Sequence, residues 1–115
     1  MALNLDTLFD SDADNSVQSC KAGSGVLYGF EASQANAADA FLQLFDAATG
    51  DVTVGTTSPK LSYFIPAGDG TLRGSTEKNF PEGIKFSTAI TYAVTTTPAG
   101  STDPTAGINL NVVFL

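Results

Sequence analysis

The chain has 115 residues, 43% hydrophobic and only 15% charged, which fits one folded domain and excludes wholesale disorder. Twelve acidic residues face five basic ones, a net of −7, and no Lys/Arg cluster exists to neutralise a phosphate backbone, so nucleic acid is excluded as a partner and an anionic membrane is disfavoured by the same sign. Histidine is absent and Cys20 is the single cysteine, which removes the commonest general base, the Ser–His–Asp and Cys–His arrangements and any intrachain disulfide.

Fourteen threonines and eleven glycines tilt the composition toward strands and turns. Residues 1–15 read as an N-terminal arm: Leu3, Leu5, Leu8 and Phe9 are apolar at a spacing that fits neither a helix nor a strand, and DSDADN marks a turn after them. Two placements cover those side chains, an edge strand of the parent domain or a groove on a neighbouring subunit. MALNLDTLFDSD has no basic segment and no apolar run of signal-peptide length, and no stretch approaches membrane-spanning length, so a soluble protein made in the cytoplasm is expected.

From residue 16 onward, strands alternate with turns. Residues 16–21 form a short strand closed by AGSG, and Val26, Tyr28 and Phe30 alternate through GVLYGFEAS. AFLQLFDA is apolar on both faces, with Phe41 and Phe45 on one and Leu42 and Leu44 on the other, the signature of a central strand. Pro59 and Pro66 bracket a strand that points Leu61, Tyr63 and Ile65 one way. GDG predicts a hairpin, TLRGSTEKN its polar return strand, and FPEG a turn. IKFS and AITYAVTTT follow, placing Ile84, Phe86, Ile90, Tyr92 and Val94 on buried faces. PAGSTDPTAG is a loop. In the closing GINLNVVFL, Ile108, Leu110, Val112 and Phe114 complete the core, while Val113 and Leu115 lie on the opposite face with Asn109 and Asn111. The expectation is an all-β fold: a jelly-roll-like antiparallel β-sandwich of about eight short strands over residues 16–115 with an extended arm at 1–15, an immunoglobulin-like sandwich being disfavoured by the missing Cys–Trp–Cys pattern.

Chemistry is hard to find. Cys20 has no imidazole to activate it and reads as a packing residue, and no S-x-x-K occurs. Glu31, Asp39, Asp46, Asp51 and Asp69 fall in turns or at strand ends, where solvated carboxylates belong. Asp10, Asp12 and Asp14 resemble the start of a calcium loop, but Asn15 stands at the glycine position and Lys21 at the closing glutamate position. The GSG at 23–25 lacks the rest of a phosphate loop. Tyr28, Tyr63 and Tyr92 fall on alternating apolar faces, so they read as core rather than as sugar-binding platforms. No catalytic residue, cofactor or metal is expected, and the chain is read as working through surfaces.

The segments GVLYG at 25–29, AFLQLFD at 40–46, PKLSYFI at 59–65, GIKFSTAITYAVTT at 83–96 and INLNVVFL at 108–115 resemble a group of small tailed-bacteriophage virion proteins. The likeness covers most of the chain after residue 16 and none of the arm. It implies a capsid decoration or cement protein, often trimeric, seated on the major capsid protein at the virion exterior, or else a head-fibre or tail-associated component. A carbohydrate-binding β-sandwich is the reading from another class. The residues expected at protein interfaces are Leu3, Leu5, Leu8 and Phe9 of the arm and Val113 and Leu115 of the last strand.

Overall fold

A computed structural model describes residues 4–115. Eight strands and one short 3-10 turn make up its regular structure: β1 (Asp6–Ala13), β2 (Gln18–Lys21), β3 (Gly25–Gln34), β4 (Ala40–Phe45), β5 (Leu61–Ile65), β6 (Gly74–Phe86), β7 (Ile90–Thr95) and β8 (Ile108–Phe114). They form two four-stranded antiparallel sheets, ordered β1-β8-β3-β6 and β2-β7-β4-β5. The pairs β1·β8, β2·β7, β3·β6 and β4·β5 run inward along the chain like one long hairpin, which then rolls so that β8 meets β3 and β7 meets β4. That wrapping is the jelly roll, an all-β sandwich. The slab measures 41 × 32 × 18 Å.

Between the sheets lies one core. Leu27, Phe30, Leu42, Leu44, Ile65, Phe86, Ile90, Tyr92, Val94, Ile108, Leu110, Val112 and Phe114 are all buried in it. The alternation of β8 is therefore the expected one, with Ile108, Leu110, Val112 and Phe114 inside and Asn111 exposed. Residues 6–13 of the arm pair with β8, Asp6 opposite Phe114 and Asp10 opposite Leu110, so this segment is an edge strand of the sandwich itself. Leu3 lies outside the described residues.

Three local expectations need correction. The face of β3 is Leu27, Phe30 and Ala32 rather than Val26, Tyr28 and Phe30, because Tyr28 is a bulge that shifts the pleat by one residue. FPEG does not turn the chain back. Residues 80–83 loop out of β6 opposite Tyr28 and the strand resumes at Ile84. Gly83 makes this possible, with φ +77 and no room for a Cβ beside the Val26 side chain. GDG does not close a hairpin either: β5 and β6 belong to different sheets, and residues 66–73 cross between them. The crossing is pinned by Gly68 and Gly70 N–H groups donating to the Asn36 and Ala35 carbonyls, 2.7 and 2.8 Å.

The sheets differ on their outer faces. All six residues of β7 and five of six in β4 are buried, since residues 46–60 and 96–107 fold over this sheet. Gln43 Nε2 donates to Thr95 Oγ1 (2.6 Å) and the Gly100 carbonyl (3.0 Å), Ser62 Oγ to the Pro98 carbonyl (2.6 Å), and Thr91 Oγ1 to the Ala47 carbonyl (2.8 Å). These bonds offset the cost of burying polar side chains behind a sheet. Among the described residues no loop covers the outer face of β1-β8-β3-β6 in this way.

Candidate interaction surface

The pleat of the bare sheet sorts its side chains into rows. Phe9, Asn111, Glu31 and Glu77 sit opposite one another on the outer face, and Thr7, Val113, Gly29 and Asn79 make the row beside it. The next rows point inward: Leu8, Val112, Phe30 and Lys78, then Asp10, Leu110, Ala32 and Thr76. Phe9 is 64% exposed and Leu5 39%, in and just before β1, while Leu115, 38% exposed, follows β8. Val113 is half-buried, and Leu8 packs against the core cluster from the inside. Of the arm's described apolar residues, Leu5 and Phe9 are thus the ones presented to solvent. The backbone of Leu115 is tied to Val26 in both directions, N–H to carbonyl, at 2.9 and 2.8 Å. Its side chain borders an open cleft of about 430 Å³ lined also by Lys21, Val26, Tyr28, Lys85 and Phe86.

Each open side of the sandwich is closed by a charged residue resting on a tyrosine. On the β1 side, the buried Tyr92 hydroxyl donates to Asp10 Oδ2 at 2.7 Å. Burial and that carboxylate push the Tyr92 phenol well above its usual range. On the β6 side, Tyr63 packs between Phe30 and Phe80, ring centroids 5.1 and 6.0 Å apart, and Lys78 Nζ lies 5.9 Å from its ring. Tyr92 is therefore interior, Tyr63 is half-buried against the core, and Tyr28 is half-buried at the bulge.

The acidic run serves the backbone. Asp10 Oδ1 accepts from Asp12 N–H, and Asp14 Oδ1 from Ser16 N–H, each at 2.9 Å, while the Asp14 carbonyl accepts from Val94 N–H at 2.7 Å. Among the described residues no group of three His, Cys, Asp or Glu side chains gathers where it would hold a cation. Asp46 caps the β6–β7 crossing, accepting from Ser87, Thr88 and Ala89 N–H groups at 2.8–3.3 Å. Desolvation pulls its pKa up, but the three donors and nearby Lys60 outweigh it and hold the carboxyl below the ordinary carboxylate value. Asp69 caps the 66–73 crossing through Thr71 and Leu72 N–H groups, which lower its pKa. Burial, with the Asp10 charge adding to it, pushes the Cys20 thiol up to about 12, the reverse of an activated nucleophile.

Three surface features went unread in the sequence. Phe64 is 44% exposed and stacks on Phe41, centroids 5.7 Å apart, on the outer face of the second sheet. Its exposure follows from the same alternation that points Tyr63 and Ile65 inward. Leu72, 71% exposed, sits on the 66–73 crossing, and Lys78 occupies an inward row at the β6 edge. Neither carries a sequence signal, because both depend on which strands end up at the edges. Scans of the chain against protein-family models and against curated protein sequences return no match.

Proposed function

We propose that this chain is a non-enzymatic virion structural protein, a capsid decoration or cement protein that binds its own kind and the major capsid protein on the particle exterior. The observation carrying the reading is the exposure of Leu5, Phe9 and Leu115 on a two-sheet slab whose second sheet has its two central strands buried on both faces. Large apolar side chains left exposed near an unpaired strand edge are a liability unless a partner covers them. The sequence likeness to small tailed-phage virion proteins supplies the kind of partner. The jelly roll supports it by analogy only, since the same fold also serves lectin domains and cupins. A net charge of −7 suits a protein that faces away from packaged nucleic acid.

The carbohydrate-binding reading is weaker on the positions of the tyrosines. Tyr92 is buried and Tyr63 is packed between Phe30 and Phe80, so neither ring offers an open face for stacking on a sugar. The test is the composition of gradient-purified particles by quantitative mass spectrometry. The reading expects the chain in fixed stoichiometry with the major capsid protein; particles lacking it reject the reading.

A further inference from the structure

The two edges of the bare sheet differ in charge and match in geometry. β1 pairs only with β8, and β6 only with β3, so each presents one side with no strand beside it among the described residues. Along β1, the inward row is Asp6, Leu8 and Asp10, and β1 contains no basic residue. Along the regular first half of β6, the inward row is Gly74, Thr76 and Lys78, and the outward row is Ser75, Glu77 and Asn79. Asp6 and Lys78 are both exposed. The four strands of the sheet alternate in direction, so β6 runs antiparallel to β1.

From this we infer that copies of this chain associate head to tail, β6 of one against β1 of the next, continuing the antiparallel sheet from molecule to molecule. Placing the next copy in the same orientation preserves the alternation of strand direction without any rearrangement. It puts the aspartates of β1 and Lys78 in one row, and Phe9 and Thr7 beside Ser75, Glu77 and Asn79 in the other, with no like charges opposed. The symmetric alternatives are penalised by the same residues: β1 against β1 opposes aspartates, and β6 against β6 opposes Lys78 with Lys78 in one register and Glu77 with Glu77 in the next. A charge pointing inward at an edge guards against indiscriminate pairing, and here opposite charges at opposite edges leave one pairing open. The excursion at 80–83 interrupts β6 and limits the contact to about one short strand, so the association is reversible rather than fibre-like. Such a heterologous contact closes into a ring when the rotation per copy divides a full turn.

This inference rests on the reading that the chain works by association, and the two fail separately. A chain monomeric in solution yet stoichiometric in particles removes the β6–β1 contact and leaves that reading standing. The experiment is sedimentation equilibrium of the full chain from micromolar to near-millimolar concentration, at low and high salt, on the wild type, Asp6→Lys, Lys78→Glu and the double reversal, with melting curves as the folding control. The expected result is concentration-dependent association that weakens at high salt. Each single reversal weakens it by about tenfold, and the double reversal restores it. Should a reversal unfold the chain, Asp6→Asn and Lys78→Gln each weaken association by less, and their double variant weakens it no more than the larger single loss. A wild type monomeric throughout, single variants that associate like the wild type, or a double reversal that stays as weak as the singles overturns the inference.

Discussion

The two sheets of this molecule are built from similar strands and live in different environments. In β1-β8-β3-β6 one face packs on the core and the other meets solvent, so β8 alternates strictly between buried apolar residues and Asn109 and Asn111. In β2-β7-β4-β5 the two central strands are covered on both faces, with β7 buried along its whole length, while Phe64 of β5 stays exposed. The lesson is a division of labour. The clad sheet has spent its outer surface on the protein's own loops through Gln43, Thr91 and Ser62. The bare sheet keeps an outer face with no loop over it among the described residues, and edges of opposite charge.

The contrast breaks most visibly in the core both sheets share. Phe114→Ala removes a ring that is 7% exposed and costs about 3–5 kcal/mol of unfolding free energy in a urea titration, whereas Phe64→Ala on the outer face, 44% exposed, costs under about 1.5 kcal/mol. Next comes the cladding. Gln43→Ala takes the donor from the Gly100 carbonyl and from Thr95 Oγ1, and costs about 1–3 kcal/mol. Amides of residues 96–107 then exchange faster while those of β8 do not. Gln43 Oε1 is buried without a partner, so Gln43→Met recovers part of the loss.

Smaller still is the acid limb of stability. The folded pKa values of Asp46 and Asp69 lie below their ordinary 3.8, so their contribution is complete above that value and disappears as pH falls through the folded pKa. Asp46→Asn with Asp69→Asn flattens the pH dependence below about pH 4 in denaturant melts from pH 2 to 7, the variant being less stable than the wild type at neutrality and converging with it at pH 2. The smallest effect on stability belongs to Phe9→Ser, within about 0.5 kcal/mol, because that ring already stands in water. Leu8→Ser, one residue away on the inner face, costs more, and the difference between the two measures how firmly β1 is held.

The bare and clad sheets also explain what the sequence could tell. Ile108, Leu110, Val112 and Phe114 were legible because one face of β8 is dry and the other wet. Phe41, Leu42, Leu44 and Phe45 were legible as a central strand because both faces are covered. β1 was not, since an edge strand with Asp6 and Asp10 in its inward row shows no apolar period. The phase of β3 was hidden by one bulged residue, Tyr28, whose effect depends on the four-residue excursion in a strand fifty positions away. GDG and FPEG are turn chemistry in the right places, but whether a turn makes a hairpin, a crossing or a bulge is decided by which sheet receives the next strand. Of the candidate surface, Leu5, Phe9 and Leu115 were readable as apolar residues in need of cover. The opposition of Asp6 and Lys78 at the two ends of one sheet is a product of topology.

The most direct test of the division of labour is hydrogen exchange on the protein assembled at high concentration or on its particle, compared with the dilute chain. Amides of residues 6–10 and 74–79 are expected to gain protection while those of 46–60 and 96–107 stay as they were. Protection gained in the cladding loops, with the two edges of the bare sheet unchanged, contradicts it.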